Sequence, residues 1–260
     1  MARKDNVEPV SDIEDLPGRI EACFIGALAG EAAAGTAAGA ADLLGVAESA
    51  AASGGFDEAD LRHRGLERPS RGGSAGLVLR ALPFGLLSPL DRPRLRRDAY
   101  RCVSLAGADE GTAVASVAAA ILIADLLRFD VHTSLLRVRQ SLLEDAPMAL
   151  LQRLAVVDRD ALPDDGADYE AAPGGDADAG LTLQRAVSAV AAAETLGGVL
   201  EAASGGPSVA VGLAGALAGA KGGAAMVAAA DREHLPHAER AVAIARRLAE
   251  RAASIPASAF

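Results

Sequence analysis

Two closely spaced carboxylates are the clearest chemical pattern in the sequence. Asp176 and Asp178 lie in the stretch GGDADAG at residues 174–180, and such a pair could bind a divalent cation, because magnesium and calcium prefer hard oxygen ligands. The pair belongs to a tract rich in Gly, Pro and Asp at residues 158–180, which is too polar to pack into a core. We therefore interpret both aspartates as part of a solvated linker, with an adventitious cation site as the alternative.

Histidines and cysteines form no stronger constellation. His234 and His237 have the i, i+3 spacing of a helix, but Pro236 lies between them and no Cys or carboxylate converges on them; we expect surface residues at the start of a helix. Cys23 and Cys102 lie in apolar helical patterns without metal-binding spacing or a His partner. They are typical of reduced core residues in a cytoplasmic protein. No catalytic residue and no metal ligand is predicted.

Composition favours helices and argues against several classes of partner. Hydrophobic residues make up 51% of the 260 residues but aromatic residues only 3%, so the core must be assembled from small and aliphatic side chains. The net charge of −10 and the short basic group at 92–97, interpreted as a solvated helix face, predict no nucleic-acid partner. The polar N-terminus does not resemble a signal peptide, and Lys221 interrupts the apolar residues 207–230, so no membrane span is expected.

Helical periodicity dominates the chain and predicts one all-α domain, a compact single-domain helical bundle at residues 18–255. A flexible tail (1–17) precedes it, and the acidic tract (158–180) is expected to be a mobile loop within it. Asp12 or Asp15 could set the start of the first helix, and Asp57 is a plausible cap of the third. Predicted helices cover residues 19–34, 40–53, 56–66, 92–104, 110–128, 134–157, 181–203, 207–222 and 236–253, and residues 74–88 form an apolar segment broken at Pro83 and Gly85.

Four motifs, in this order and spacing, resemble the ADP-ribosylglycohydrolase family over about residues 19–251. GALAGEAAAG (26–35) is similar to the opening helix, LLGVAESAAASGGFDEADLRHR (43–64) to the helix, turn and helix after the first metal motif, and SAGLVLRALPFGLL (74–87) to the substrate loop and the segment after it. GGPSVAVGLAGALAGA (205–220) resembles the last metal motif and its helix. The resemblance implies an all-α fold whose active members cleave ADP-ribose linkages with two magnesium ions.

The residues that hold magnesium in active members are missing at the matching positions. The T-D-D-T motif falls on residues 37–40, which read AAGA, and the mid-chain Thr-His pair falls near Ala106 and Gly107. In the last motif, G-G-D-x-D-T, the glycines match Gly205 and Gly206, two residues are lost, and Ser208 replaces the ligand Thr. A two-metal site needs several convergent carboxylates, so no cofactor is expected here. GGDADAG (174–180) spells this motif almost completely, but the genuine motif leads directly into the Gly and Ala helix.

The same resemblance suggests residues that could contact a ligand, and it explains the glycines of the last helix. Ser74 and Gly76 lie where the family has a ribose-contacting loop, and Glu31 replaces an Asp of the first helix. Together with Gly205, Gly206 and Ser208 they form the predicted substrate-binding set. The small residues at positions 212, 215, 216, 219, 220 and 223 are interpreted as a packing stripe that lets helix backbones approach closely.

Three functions remain open from the sequence. The first is a non-catalytic or strongly diverged ADP-ribosylglycohydrolase-like protein that keeps the scaffold and a nucleotide-sized cleft, with ADP-ribose or a related nucleotide as ligand. The second is an active hydrolase of ADP-ribose linkages that uses unaligned ligands such as Glu31, Asp42 or the acidic loop. The third is a structural or protein-interaction module whose surface binds a protein partner.

Overall fold

The computed structural model describes residues 13–36, 38–70, 72–143, 150–151, 154, 178–205, 208–228, 230 and 232–255. Within these ranges the chain is all-α, as predicted, and no strand is present. The helices are α1 (Leu16–Ala33), α2 (Ala38–Ser53), α3 (Glu58–His63), α4 (Gly73–Leu87), α5 (Arg92–Leu105), α6 (Glu110–Leu126), α7 (Val131–Leu142), α8 (Ala179–Ala192), α9 (Leu196–Ala203), α10 (Ser208–Met226) and α11 (Ala238–Ala253). The proposed tail before residue 13 and residues 158–177 of the proposed mobile loop lie outside the described residues.

Aspartates begin many of these helices. Each carboxylate accepts a hydrogen bond from a backbone N–H of the first turn, which would otherwise have no partner inside the helix. The predicted cap Asp57 accepts from the N–H of Asp60 at 3.1 Å, and Asp15 accepts from that of Gly18 at 3.2 Å; Asp12 lies outside the described residues. The six aspartate caps within the described ranges are Asp15, Asp57, Asp91, Asp109, Asp130 and Asp178.

The predicted break at Pro83 and Gly85 is wrong, because α4 continues through both residues. Every residue from Ala75 to Leu87 is buried, so burial of the whole helix outweighs the local cost of a proline inside it. The glycine serves packing, since a Cβ placed on Gly85 would lie 2.2 Å from the carbonyl oxygen of Ala120 in α6.

Two other predicted helices also differ from those in the structure. The segment 181–203 is interrupted, because Ala193 is extended and Thr195 starts α9 by accepting the N–H of Gly198 at 3.2 Å. The helix predicted at 134–157 starts earlier, at Val131, and ends at Leu142. Most of residues 144–157 lie outside the described residues.

Helix α10 lies at the centre of the fold and packs most extensively against α1. A Cβ placed on Gly215 would lie 2.0 Å from the carbonyl oxygen of Gly26, and one on Gly219 would lie 2.1 Å from that of Ala22. The two backbones are therefore in direct contact, which confirms the predicted packing stripe. By length and composition α10 could cross a membrane, but most of it is buried inside the fold, as in the core helix of a globular domain.

Candidate functional site

Four of the predicted site residues, Glu31, Ser74, Gly76 and Ser208, lie where the end of α1 meets the starts of α2, α4 and α10. Glu31, in the last turn of α1, is next to α2, because a Cβ on Gly39 would lie 2.3 Å from its Oε1. It is next to α10 as well, because a Cβ on Gly212 would lie 3.0 Å from its Cγ. The loop before α4 joins the same region, since a Cβ on Gly72 would lie 2.8 Å from Val209 Cγ2. Helices distant in sequence thus converge on Glu31.

Glu31 is almost completely buried, with 1% of its surface exposed. Burial raises the pKa of its carboxyl group, and the negative charge of Asp42 adds to the rise, whereas hydrogen bonds from the backbone N–H groups of Ala40 and Gly39 oppose it. These N–H groups belong to the first turn of α2, which has no intrahelical acceptor for them. Glu31 therefore caps α2 from another helix. Its Oε2 has no hydrogen-bond partner within the described part of the chain.

Asp42, the other acidic residue considered as a ligand, is paired with an arginine. Its Oδ2 accepts hydrogen bonds from Arg80 Nη2 at 2.7 Å and from Arg80 Nε at 3.1 Å. Arg80 is buried, with only 3% of its side chain exposed, and its Nη1 donates to the carbonyl oxygens of Leu66 at 2.8 Å and Arg68 at 2.9 Å. The pair fixes the segment between α3 and α4 to α2.

Ser74 and Gly76 lie in the first turn of α4. Ser74 is half-buried, whereas Gly76 is buried against Ser70, whose Oγ would lie 2.2 Å from a Cβ on this glycine. The hydroxyl of Ser70 donates to Asp42 Oδ2 at 3.4 Å and accepts from the N–H of Gly72 at 3.3 Å. Close packing on Ser70 therefore explains why position 76 is glycine.

A cleft of about 500 Å³ opens beside this convergence, between the end of α1, α9 and the start of α10. Of the predicted site residues that the structure describes, only Ser208 lines it. The carbonyl oxygen of Gly205 accepts a hydrogen bond from Arg185 Nη1 at 2.8 Å, and Gly206 lies outside the described residues. The lining residues are Ala33, Ala34, Gly197, Leu200, Glu201, Ser204, Ser208 and Val211.

Sequence reasoning missed Glu201 and Ser204, the polar residues that α9 and its end contribute to the cleft. Glu201 lies 7 residues and Ser204 lies 4 residues before Ser208 in the chain, and no motif distinguishes them from an ordinary exposed helix end. Only the break that separates α8 from α9 lets this short helix flank the start of α10.

The remaining candidates have structural roles. Asp178 caps α8 by accepting from the N–H groups of Gly180 and Leu181, whereas Asp176 lies outside the described residues. His234 and His237 are exposed, and His237 precedes α11 with φ 66°, as expected for residues at a helix start. Across the described ranges, no group of three or more His, Cys, Asp or Glu side chains could hold a metal ion.

Both cysteines are free and buried, as predicted. Burial raises the pKa of the Cys102 thiol to about 12, although the nearby charge of Arg80 acts in the opposite direction. The pKa of the Cys23 thiol is also raised by burial. A thiolate nucleophile needs the opposite shift, so neither residue is suited to covalent chemistry.

Comparison with known proteins identifies the fold. No family model matches the sequence, and no curated protein matches it. Among solved structures, the chain is similar to one described as an ADP-ribosylglycohydrolase-related protein complex, with a TM-score of 0.72 and 22% sequence identity. The similarity covers 92% of this chain and 99% of that chain. The all-α, ADP-ribosylglycohydrolase-like fold predicted from the motifs is thereby confirmed.

Proposed function

We propose that this protein is a non-catalytic, strongly diverged ADP-ribosylglycohydrolase-like protein that binds ADP-ribose or a related nucleotide in the cleft beside Ser208. The placement of the acidic side chains carries the proposal. Glu31 caps α2 with one part of its carboxylate, although its Oε2 has no partner among the described residues, and Asp42 is bonded to Arg80. These two carboxylates near the convergence therefore already have structural partners. A two-metal hydrolase needs several carboxylates free to coordinate the same pair of ions.

The size and lining of the cleft support a ribose-containing ligand. A volume of about 500 Å³ lies within the range usual for small-molecule sites, about 300–1,000 Å³. Leu200 and Val211 supply apolar surface, and Ser204, Ser208 and Glu201 supply hydroxyl and carboxylate groups. A carboxylate is a suitable acceptor for ribose hydroxyl groups, so we assign this role to Glu201. The first turn of α10 offers N–H groups and a positive dipole end to the phosphates.

Binding and turnover must be measured separately to test this function. Titration calorimetry with ADP-ribose, with and without magnesium, should detect binding that does not depend on the metal. The Glu201→Gln variant should bind at least about tenfold more weakly, because a hydrogen bond to a charged group contributes about 1.5–3 kcal/mol. Glu58→Gln, which changes the same charge on the exposed surface of α3, should bind like the wild-type protein.

Turnover of an ADP-ribosylated protein with magnesium should not rise above the uncatalysed rate. Magnesium-dependent release of ADP-ribose would instead establish the active hydrolase and overturn the non-catalytic assignment. Absence of ADP-ribose binding at millimolar concentration would overturn the ligand assignment and leave the protein-interaction module as the surviving hypothesis.

A further inference from the structure

One face of α5 carries a basic groove that shares no lining residue with the cleft. Arg96, Arg97, Tyr100 and Arg101 line it, and their spacing of one and four positions places them on one side of the helix. The groove has a volume of about 570 Å³. It includes Arg96 and Arg97 of the basic group at 92–97, which the sequence indicated to be a solvated helix face.

The arginines of α5 fall into two groups. Arg92 binds the buried Asp125 with Nη2 at 2.8 and 2.6 Å, and Arg94 donates to the carbonyl oxygen of Gly54, so these two fix the helix to its neighbours. The solvated-face interpretation is wrong for them. Arg97 extends outward instead: it is paired with Asp98 at 2.9 Å, yet 61% of its side chain remains exposed. Arg96 is half-buried and donates to the carbonyl oxygen of Ser141 at 3.4 Å.

Apolar side chains form the floor of the groove. Val114 and Val117 of α6 and Leu142 of α7 line it, and Glu110 is the only acidic residue among the described residues that line it. Tyr100 is 49% exposed, and Leu143, next to the lining Leu142, is 65% exposed. These are two of the three large hydrophobic residues exposed in the described ranges. Exposed apolar surface rimmed by charge is typical of an interaction site.

We propose that this groove is a docking site for an acidic segment of a partner protein. Three arginines line the groove, against Glu110 and the Asp98 that pairs with Arg97 among the described residues. Cationic groups therefore outnumber carboxylates there, on a protein with a net charge of −10, so the groove is locally complementary to an acidic partner. Tyrosine and arginine are also the residue types enriched among the strongest contributors to protein–protein binding. The apolar floor between them would hold one hydrophobic side chain of the partner.

The spacing of the cations fits an extended segment. Arg97 and Arg101 are four residues apart on a helix, a rise of about 6 Å. Side chains two residues apart on one face of an extended chain are separated by about 6.6 Å. Alternate acidic residues of an extended peptide could therefore meet both guanidinium groups. Arg101 is held in place by Phe56, whose ring centroid lies 4.4 Å from its Cζ.

The probe is a fluorescent peptide in which alternating Asp and Glu residues flank a single Leu, titrated against the full chain. We expect saturable binding that weakens as salt is raised, because exposed charges are screened. The same peptide with Asn and Gln in place of the acids should not bind. Arg97→Gln and Tyr100→Ala should each weaken binding about tenfold or more, and the glutamine keeps an amide donor for Asp98.

Arg232→Gln is the matched control, because it also removes one exposed cation and one ion pair, with Glu21 at 2.7 Å, but lies outside the groove. It should bind the peptide like the wild-type protein. Thermal melting shows whether the variants remain folded. Absence of binding by the acidic peptide, equal binding by the neutral peptide, or equal loss in Arg232→Gln would each overturn the proposal. Displacement of the bound peptide by equimolar inorganic pyrophosphate would overturn it too, in favour of a small-anion site.

Discussion

Gly26 of α1 and Gly215 of α10 face each other so closely that a Cβ on either residue would lie 2.0 Å from the carbonyl oxygen of the other. The contact joins two helices that are almost 190 residues apart in the chain. Because the atoms in the way belong to the backbone, neither helix can yield by a change of side-chain rotamer. The central helix pair of the fold therefore depends on glycine at both positions.

We predict that Gly215→Ala destabilises the protein. Overpacking of a tight core contact costs about 1–3 kcal/mol and at times more, which exceeds the gain of up to about 1 kcal/mol that alanine brings to a helix interior. Thermal or urea unfolding measures the difference. Gly197→Ala is the matched control, because nothing lies within 4 Å of a Cβ at this position of α9. If both variants were equally stable, the close backbone contact would not exist.

We predict that Asp42→Ala is strongly destabilising, because it leaves the buried guanidinium of Arg80 without a counterion. Removal of one partner of a buried pair costs about 3–5 kcal/mol, and urea unfolding is the measurement. Glu58→Gln removes one partner of the exposed pair between Glu58 and Arg62, at 2.9 Å, and should cost less than about 1 kcal/mol. Similar losses in the two variants would mean that the pair with Arg80 is only a surface contact.

Glu31 should make stability depend on pH in a defined direction. Burial raises the pKa of its carboxyl group above the unfolded value, so the folded state holds its proton more tightly than the unfolded state does. The stabilisation is complete below the unfolded pKa and is lost as pH rises through the raised pKa of the folded state.

The variant Glu31→Gln should remove this contribution. Urea unfolding across a pH series measures the free energy of unfolding of the variant and of the wild type. As pH rises above the usual carboxyl range, the wild type should lose stability relative to the variant. A constant difference across the series would show that Glu31 ionises normally in the folded protein. Glu58→Gln, at an exposed site, supplies the reference.

Sequence alone determined the features that depend on neighbours within one helical turn. Asp57 and Asp15 cap helices through groups three residues away, and such local preferences are encoded by residue type and position. The glycines of α10 also predicted close packing, because small residues repeated on one face of a helix indicate that another backbone approaches it closely. The all-α fold was predicted from the helical periodicity of the apolar residues and from the order of the motifs.

Only the tertiary structure decided which side chains and helices come into contact with one another. Asp42 pairs with Arg80, which lies 38 residues further along the chain. Helix α4 continues through Pro83. Helix α8 ends before Thr195, and the short helix α9 that follows forms one side of the cleft. The tertiary structure also placed the carboxylate of Glu31 at the first turn of α2. Burial and long-range contacts govern these outcomes, and their free energies exceed the local propensities that a sequence displays.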